Sequence, residues 1–154
     1  MATIRLQRED FDVAAEQRRL AQGAVVGAVV TFTGICRGDG GLVAMTLEHY
    51  PGMAEEEIAR HVAEAEARWA LRGVTVIHRH GRLVPGDNIV LVATAAAHRG
   101  DAFAAAEFLM DYLKTSAPFW KREERAGAAA WVEARREDDA AAARWTKRPG
   151  EAAE

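Results

Sequence analysis

Residues Asp111–Glu123 read D-Y-L-K-T-S-A-P-F-W-K-R-E and set two lysines, Lys114 and Lys121, on either side of a helix stop. Leu109, Met110 and Leu113 continue an apolar helical face from upstream, which puts Lys114 in the last turn of that helix. Pro118 disfavours helical torsions at Ala117, so the helix ends there. Phe119 and Trp120 then offer large apolar surface to pin the following segment, and Lys121 and Arg122 come directly after that anchor. The pattern predicts a cationic pocket wall held by aromatic packing. A lysine among other cations, or one partly withdrawn from water, loses proton affinity and can act as base or nucleophile near neutral pH.

Outward from this stretch the chain alternates helices with strands. Upstream, the helix starts near Asp101, with Phe103, Ala106, Met110 and Leu113 as its buried face. His98, Arg99 and Gly100 link it to a strand over Asn88–Ala97. The turn V-P-G-D (Val84–Asp87) pairs that strand with Val74–Leu83 as a hairpin. Met53–Arg72 is the clearest helix, with Ile58, Val62, Ala65 and Trp69 on one face, three glutamates in its first turn and Gly73 as its stop. Ala24–Thr33, a β-branched apolar run, reads as a buried strand. The glycine-rich loop Gly34–Gly41 joins it to a strand over Leu42–Tyr50, and the two are expected to form another hairpin. Phe11–Gln22 reads as a helix capped by Asp10 or Asp12 and stopped by Gly23. Thr3–Arg8 is a short half-buried strand. Downstream, Ala128–Arg135 is a last strand with Trp131, Glu133 and Arg135 on one face, and Glu137–Trp145 a short helix. Hairpins mixed with helices imply α+β rather than a parallel doubly wound sheet. One domain over residues 1–145 is expected, followed by a polar, disordered tail over 146–154.

Composition narrows the function classes. The 154 residues suit a single domain that buries enough surface to need no disulfide or metal staple. A net charge of −3 argues against a general nucleic-acid binder. The single cysteine, Cys36, cannot form an internal disulfide and suits a reducing cytoplasm. The N-terminus lacks the apolar core of a signal peptide, and no apolar run is long enough for a membrane span.

Cations gather at element ends: Arg37 in the glycine loop, His98 and Arg99 before a helix N-terminus, Lys114, Lys121 and Arg122 after it, and Arg135 at the end of the last strand. Converged, they suit a phosphate-bearing substrate, since free N–H groups and the dipole at a helix start favour anions and arginine contacts phosphate in pairs. Each also fits a blander role as a solvated loop, cap or helix-end charge, and one sequence gives no distances. The glycine loop lacks the G-x-x-x-x-G-K-[ST] phosphate cradle. Cys36 beside Arg37 is either a thiol nucleophile or a small buried cysteine, and no histidine base can be assigned to it. His78 and His80 share a strand face, but without a third ligand no metal site is expected. His49 and His61 read as structural, and Trp69 and Phe103 as core.

Seven stretches together resemble one family, the large catalytic subunit of molybdopterin synthase (the MoaE family). They are V-V-T-F-T-G-I-C-R (Val29–Arg37), T-L-E-H-Y-P-G-M (Thr46–Met53), V-T-V-I-H-R-H-G (Val74–Gly81), P-G-D (Pro85–Asp87), A-H-R (Ala97–Arg99), M-D-Y-L-K-T-S-A-P-F-W-K-R-E (Met110–Glu123) and W-V-E-A-R (Trp131–Arg135). The resemblance runs over about Ile4–Trp145. It implies an α+β fold with an α/β-hammerhead core. It implies a cytoplasmic sulfurtransferase that makes molybdopterin, the precursor of the molybdenum cofactor, from cyclic pyranopterin monophosphate, with no cofactor or metal of its own. The sulfur would come from the C-terminal thiocarboxylate of a small ubiquitin-like subunit. Two large subunits would form a homodimer, and a small subunit at each end would complete a heterotetramer.

The family's substrate contacts map by resemblance onto Ile35, Cys36 and Arg37, onto His98 and Arg99, onto Lys114, Lys121, Arg122 and Glu123, and onto Arg135, within its own subunit or across the dimer. Lys114 is assigned general acid–base work, and Lys121 positioning with a share of proton transfer. Phe119 and Trp120 would line a slot for the partner's Gly-Gly tail. Two departures stand out: the G-D-G-G loop after Arg37 is shorter than is usual in the family, and Cys36 stands where a small aliphatic is common. A binding module without catalysis would share this fold, and the intact set of cations argues against it; a phosphate-ligand sensor would share it too and would need no thiocarboxylated partner.

Overall fold

The central strands of the first sheet are buried over most of their length. The computed structural model describes residues 2–125, 128–132 and 136–146. Strands β4 (Leu71–Arg79) and β6 (Asn88–Ala96) pair antiparallel, as the V-P-G-D turn predicts. β1 (Ala2–Gln7) adds parallel to β4, and β2 (Ala28–Ile35) antiparallel to β6, giving the order β1-β4-β6-β2. Helices cover both faces. Val74 and Val76 of β4 and Val90 and Val92 of β6 pack against Ile58, Val62 and Ala65 of α2 (Met53–Arg68) and against Phe108, Leu109 and Met110 of α3 (Arg99–Thr115). Ala93 and Ala95 of β6 point the other way and meet Leu20 of α1 (Val13–Leu20). Continuous apolar strands are what burial on both faces demands.

The second sheet has the order β5-β3-β7-β8, built from β5 (Gly81–Leu83), β3 (Leu42–His49), β7 (Phe119–Arg125) and β8 (Ala128–Val132). The chain is α+β with mainly antiparallel pairing, as expected. Helix α4 (Arg136–Ala143) and a short 3₁₀ turn (Arg144–Thr146) close the described part. There Trp145 packs edge-on to Trp69 and Phe108, both at 5.7 Å, and its Nε1 donates to Asp111.

Several expectations need correction. Residues 24–33 and 42–50 do not form a hairpin. β2 lies along β6, whereas β3 sits between β5 and β7 in the other sheet. The glycine segment between them, starting with a register irregularity at Gly34/Ile35, carries the chain across instead of turning it back. Nor is β2 buried: it is an edge strand, and Phe32 and Ile35 are exposed. Apolar runs alone do not separate edge from centre. The strand expected over 74–83 divides. Gly81 takes φ +90°, a left-handed torsion that glycine tolerates, and β5 leaves to pair with β3. α2 ends at Arg68, because Leu71 already belongs to β4, so Gly73 is a strand residue rather than a stop. Phe103 is 60% exposed, not core. β7 was not foreseen as a strand, since its charged residues fall on both faces. Glu133, Arg135 and residues 147–154 lie outside the described residues.

The corner at Gly81 joins the two sheets, so it is the place to perturb the fold. Gly81→Ala is expected to destabilise the protein by about 1–3 kcal/mol through the forced left-handed torsion, read as a lower denaturant midpoint with the slope unchanged.

Candidate active site

The inner face of the second sheet is defined by its register. Leu47 stands opposite Lys121, and Met45 opposite Glu123, so these four side chains share one face. Met45, Leu47 and Leu83 are buried there against Cys36. Two backbone hydrogen bonds hold Cys36 in place: its N–H donates to the Asp87 carbonyl at 2.8 Å, and its carbonyl accepts from the Gly86 N–H at 2.8 Å. The I-C-R and P-G-D stretches, far apart in sequence, are thus clipped to each other. Arg37 follows at the rim, exposed, with Nε donating to Asp39 at 3.1 Å. Lys121 is partly covered, and its Nζ lies 3.7 Å from Glu123, which also pairs with Arg125 at 2.8 Å.

Cys36 is not a thiolate. Burial pushes its thiol up, and the nearby carboxylates of Asp87 and Glu123 push the same way against Lys121. The small buried cysteine is the correct alternative.

Lys114 occupies the last turn of α3, and Pro118 stops the helix as expected, with Ser116 at the C-cap. The charge of Lys114 reaches His78 of β4. His78 in turn lies flat against Phe119, with ring centroids 4.0 Å apart. Phe119 and Lys121 are two apart on one strand and therefore share a face. Lys114 near the end of α3 and Lys121 near the start of β7 flank the corner at Pro118, and the Phe119–His78 stack links their surroundings, since the Lys114 charge reaches His78 and Phe119 shares a face with Lys121.

Trp120 and Arg122 alternate to the outer face. Trp120 packs edge-on to Tyr50 with centroids 4.9 Å apart, and Arg122 is exposed. Phe119 and Trp120 therefore do not line one slot, a correction that follows from the two-residue period of a strand. The sequence placed them side by side because it gave no sign that the segment is extended.

His98 and Arg99 lie at the opposite end of α3. They line a cavity of about 490 Å³ with Gly27, Ala28, Ala97 and Gly100. Gly27 is required: a Cβ there would stand 2.2 Å from the Ala97 carbonyl oxygen. His98 is the N-cap but makes no side-chain cap bond, and the first N–H groups of the helix point into this end, where an anion is favoured. From Arg99 to Lys114 the helix rises 15 residues at 1.5 Å, or about 22 Å. One chain therefore does not bring His98 and Arg99 to the lysine corner. Cys36, Lys121 and Glu123 form one group, flanked by Ile35 and Arg37 next to Cys36 in the chain, and Lys114 stands across the Pro118 corner. His98 and Arg99 form another.

Sequence reasoning passed over His49 and His78 as parts of the site. His78 is 6% exposed, and its Nδ1 is 2.8 Å from the Arg79 carbonyl. Burial holds its pKa down at about 4, opposed by that bond and reinforced by Lys114, His49 and His80. His49 packs 4.6 Å from His80 and 6.0 Å from Phe119. Their neighbours come from three different strands, so no spacing announces them. A signal for the lysines did exist: only three of the twenty basic residues are lysine, and two of those are Lys114 and Lys121.

The sequence profile of the MoaE protein family matches residues 6–116. A molybdopterin synthase catalytic subunit from Mesorhizobium japonicum is 62% identical, covering 93% of this chain and 92% of that protein. Among solved structures, the molybdopterin biosynthesis MoaE protein from Burkholderia ambifaria superposes with a TM-score of 0.83 at 52% identity, covering 96% of this chain and all of that one. Molybdopterin synthase from Staphylococcus aureus gives a TM-score of 0.77 at 29% identity, over 82% of this chain and 94% of that chain.

Two outcomes follow from the site's chemistry. An unfolded imidazole takes its proton near pH 6.5, whereas folded His78 resists it until about 4. Between those values the unfolded state binds more protons, so stability falls as pH is lowered through this window, by about 3 kcal/mol in total. His78→Phe should flatten that slope in denaturant titrations at pH 7 and pH 4.5. Cys36 should react with iodoacetamide far more slowly in native than in unfolded protein at pH 7.5, and equal rates would contradict its burial.

Proposed function

The chain belongs to the MoaE protein family, and from that premise we propose that it is the catalytic subunit of a molybdopterin synthase. Its substrate is cyclic pyranopterin monophosphate. Its sulfur donor is the C-terminal thiocarboxylate of a small ubiquitin-like subunit, and its reaction is sulfur transfer. What supports this reading is that two of the chain's three lysines stand at the corner where α3 gives way to β7, Lys114 in the last turn of the helix and Lys121 near the start of the strand.

The chemistry asks for such a corner. Phosphate and thiocarboxylate are both anions, and their approach needs fixed cations around them. Lys121, beside Glu123 and near the rim arginine Arg37, is suited to hold the substrate and the incoming tail. Lys114 is suited to give and take protons as the cyclic phosphate opens and sulfur adds to the side-chain carbons. The partner's tail would run along the inner face past Phe119, not past Trp120. Substrate and thiocarboxylate supply the atoms transferred, so no further cofactor enters the proposal. A reducing cytoplasm suits both the thiocarboxylate and the lone thiol.

The length of α3 bears on assembly. A substrate held by Lys114 in one chain is out of reach of His98 and Arg99 of that chain, about 22 Å along the helix. We therefore read the working unit as a homodimer in which one copy offers its lysine corner and the other its helix start, with a small subunit on each copy. Among the described residues no helix is long and apolar enough to cross a membrane.

The test is conversion in vitro: protein, cyclic pyranopterin monophosphate and thiocarboxylated small subunit, with molybdopterin read as its fluorescent oxidised derivative. Wild type should form product, and Lys114→Ala should slow turnover by roughly 10²–10⁴-fold, the range of a lost acid–base group. Full activity in Lys114→Ala would remove that lysine from the chemistry. No product from wild type, with the partner still bound tightly, would point to a binding module instead.

A further inference from the structure

His78 has no part in the chemistry above, yet three constraints meet on it. Its ring lies on Phe119 with centroids 4.0 Å apart and planes 16° from parallel. Its Nδ1 stands 2.8 Å from the Arg79 carbonyl. A carbonyl only accepts, so Nδ1 carries the proton, and the neutral ring keeps its lone pair on Nε2. Its backbone is held on both sides, opposite Leu6 of β1 and Val90 of β6. The imidazole is therefore fixed in position, orientation and tautomer.

Phe119 is held less firmly by its own strand. It is the first residue of β7, directly after the Ala117–Pro118 break, and its N–H donates back to the Ala117 carbonyl at 2.8 Å. The stack on His78 ties this strand start to the central part of the first sheet, alongside the packing of Ala117 and Phe119 on the main apolar core. Lys121 follows two residues later on the same face, and Lys114 ends the helix just before the break.

We propose that His78 is the positioning residue of the lysine pair: the flat stack of its ring on Phe119 sets where β7 begins, and so how Lys121 and Lys114 stand to each other. This deepens the sulfur-transfer reading and rests on it. Leucine would fill the space but offer no flat face. Phenylalanine would offer the face but leave the Arg79 carbonyl without its donor. The titratable groups around the ring are Lys114 from α3, His49 from β3 and His80 from the corner before β5. A neutral ring adds no positive charge to that set and leaves the gathering of anions to the lysines.

The small number of lysines allows a readout that does not depend on turnover. Reductive ¹³C-dimethylation gives resonances for Lys114, Lys121 and Lys147 and for the N-terminal amine, the lysines assigned with Lys→Arg variants. In His78→Ala the Lys114 and Lys121 resonances should move and Lys147 should stay. In the conversion assay, with the small subunit present, kcat should fall by roughly 10–100-fold with KM nearly unchanged, the cost of misplaced reacting groups. His78→Phe, which restores a flat ring, should recover most of that loss. Should His78→Ala fail to fold, Phe119→Leu, which keeps volume and loses the ring, should give the same kcat drop and the same two resonance shifts. Unmoved Lys114 and Lys121 resonances, unchanged kcat, or an equal loss in His78→Phe and His78→Ala would each overturn the proposal. If wild type forms no product, the sulfur-transfer reading fails by itself, and the lysine resonances still decide whether His78 positions them.

Discussion

A seventeen-residue helix cannot be shortened to suit a ligand, and α3 is such a helix. Seven of its side chains, from Ala102 to Tyr112, are buried against the first sheet and α2, so it can neither slide nor tilt freely. Its entry follows β6 through His98, and its exit is enforced by Pro118. The cations at its two ends are thereby held about 22 Å apart. The separation of the lysines from the His98 cavity descends from this one rigid spacer.

The second sheet supplies what the helix cannot. β7 returns from the end of α3 and pairs along β3, which carries Lys121 and Glu123 over the buried Cys36, Met45 and Leu47. An apolar floor beneath a lysine and a carboxylate lowers the local dielectric and makes each charge count for more. The exposed ion pair of Arg37 with Asp39 belongs to a different regime. It is solvated, adds little to stability and leaves the arginine able to turn toward an anion. Rigidity is concentrated in Phe119, His78 and the clipped turns, and freedom is left to exposed side chains such as Arg37.

Much of this was legible in the sequence where one element explains itself. The faces of α2 and α3, the hairpin of β4 with β6 and the helix stop at Pro118 come from period and turn chemistry alone. Elements whose meaning depends on a partner were not legible. The run A-V-V-T-F-T looks like core, yet it forms an edge strand, because nothing in it records which sheet it joins. Segment 119–125 hides its strand character, because Lys121 and Glu123 inside alternate with Arg122 and Glu124 outside. For the same reason Arg122 and Trp120, adjacent to Lys121 and Phe119 in sequence, face away from them. Motif resemblance named candidate residues, and it could not show that α3 holds two sets of them about 22 Å apart.

The division into two groups is the point on which the account stands, and mixed dimers test it most directly. A chain carrying Arg99→Ala and a differently tagged chain carrying Lys114→Ala, each deficient alone, would be coexpressed and the two-tag species purified. If a site takes Lys114 from one copy and Arg99 from the other, the mixed dimer has one intact site of its two, and about half of wild-type conversion returns. No recovery would contradict the shared site and require both groups to act from the same chain.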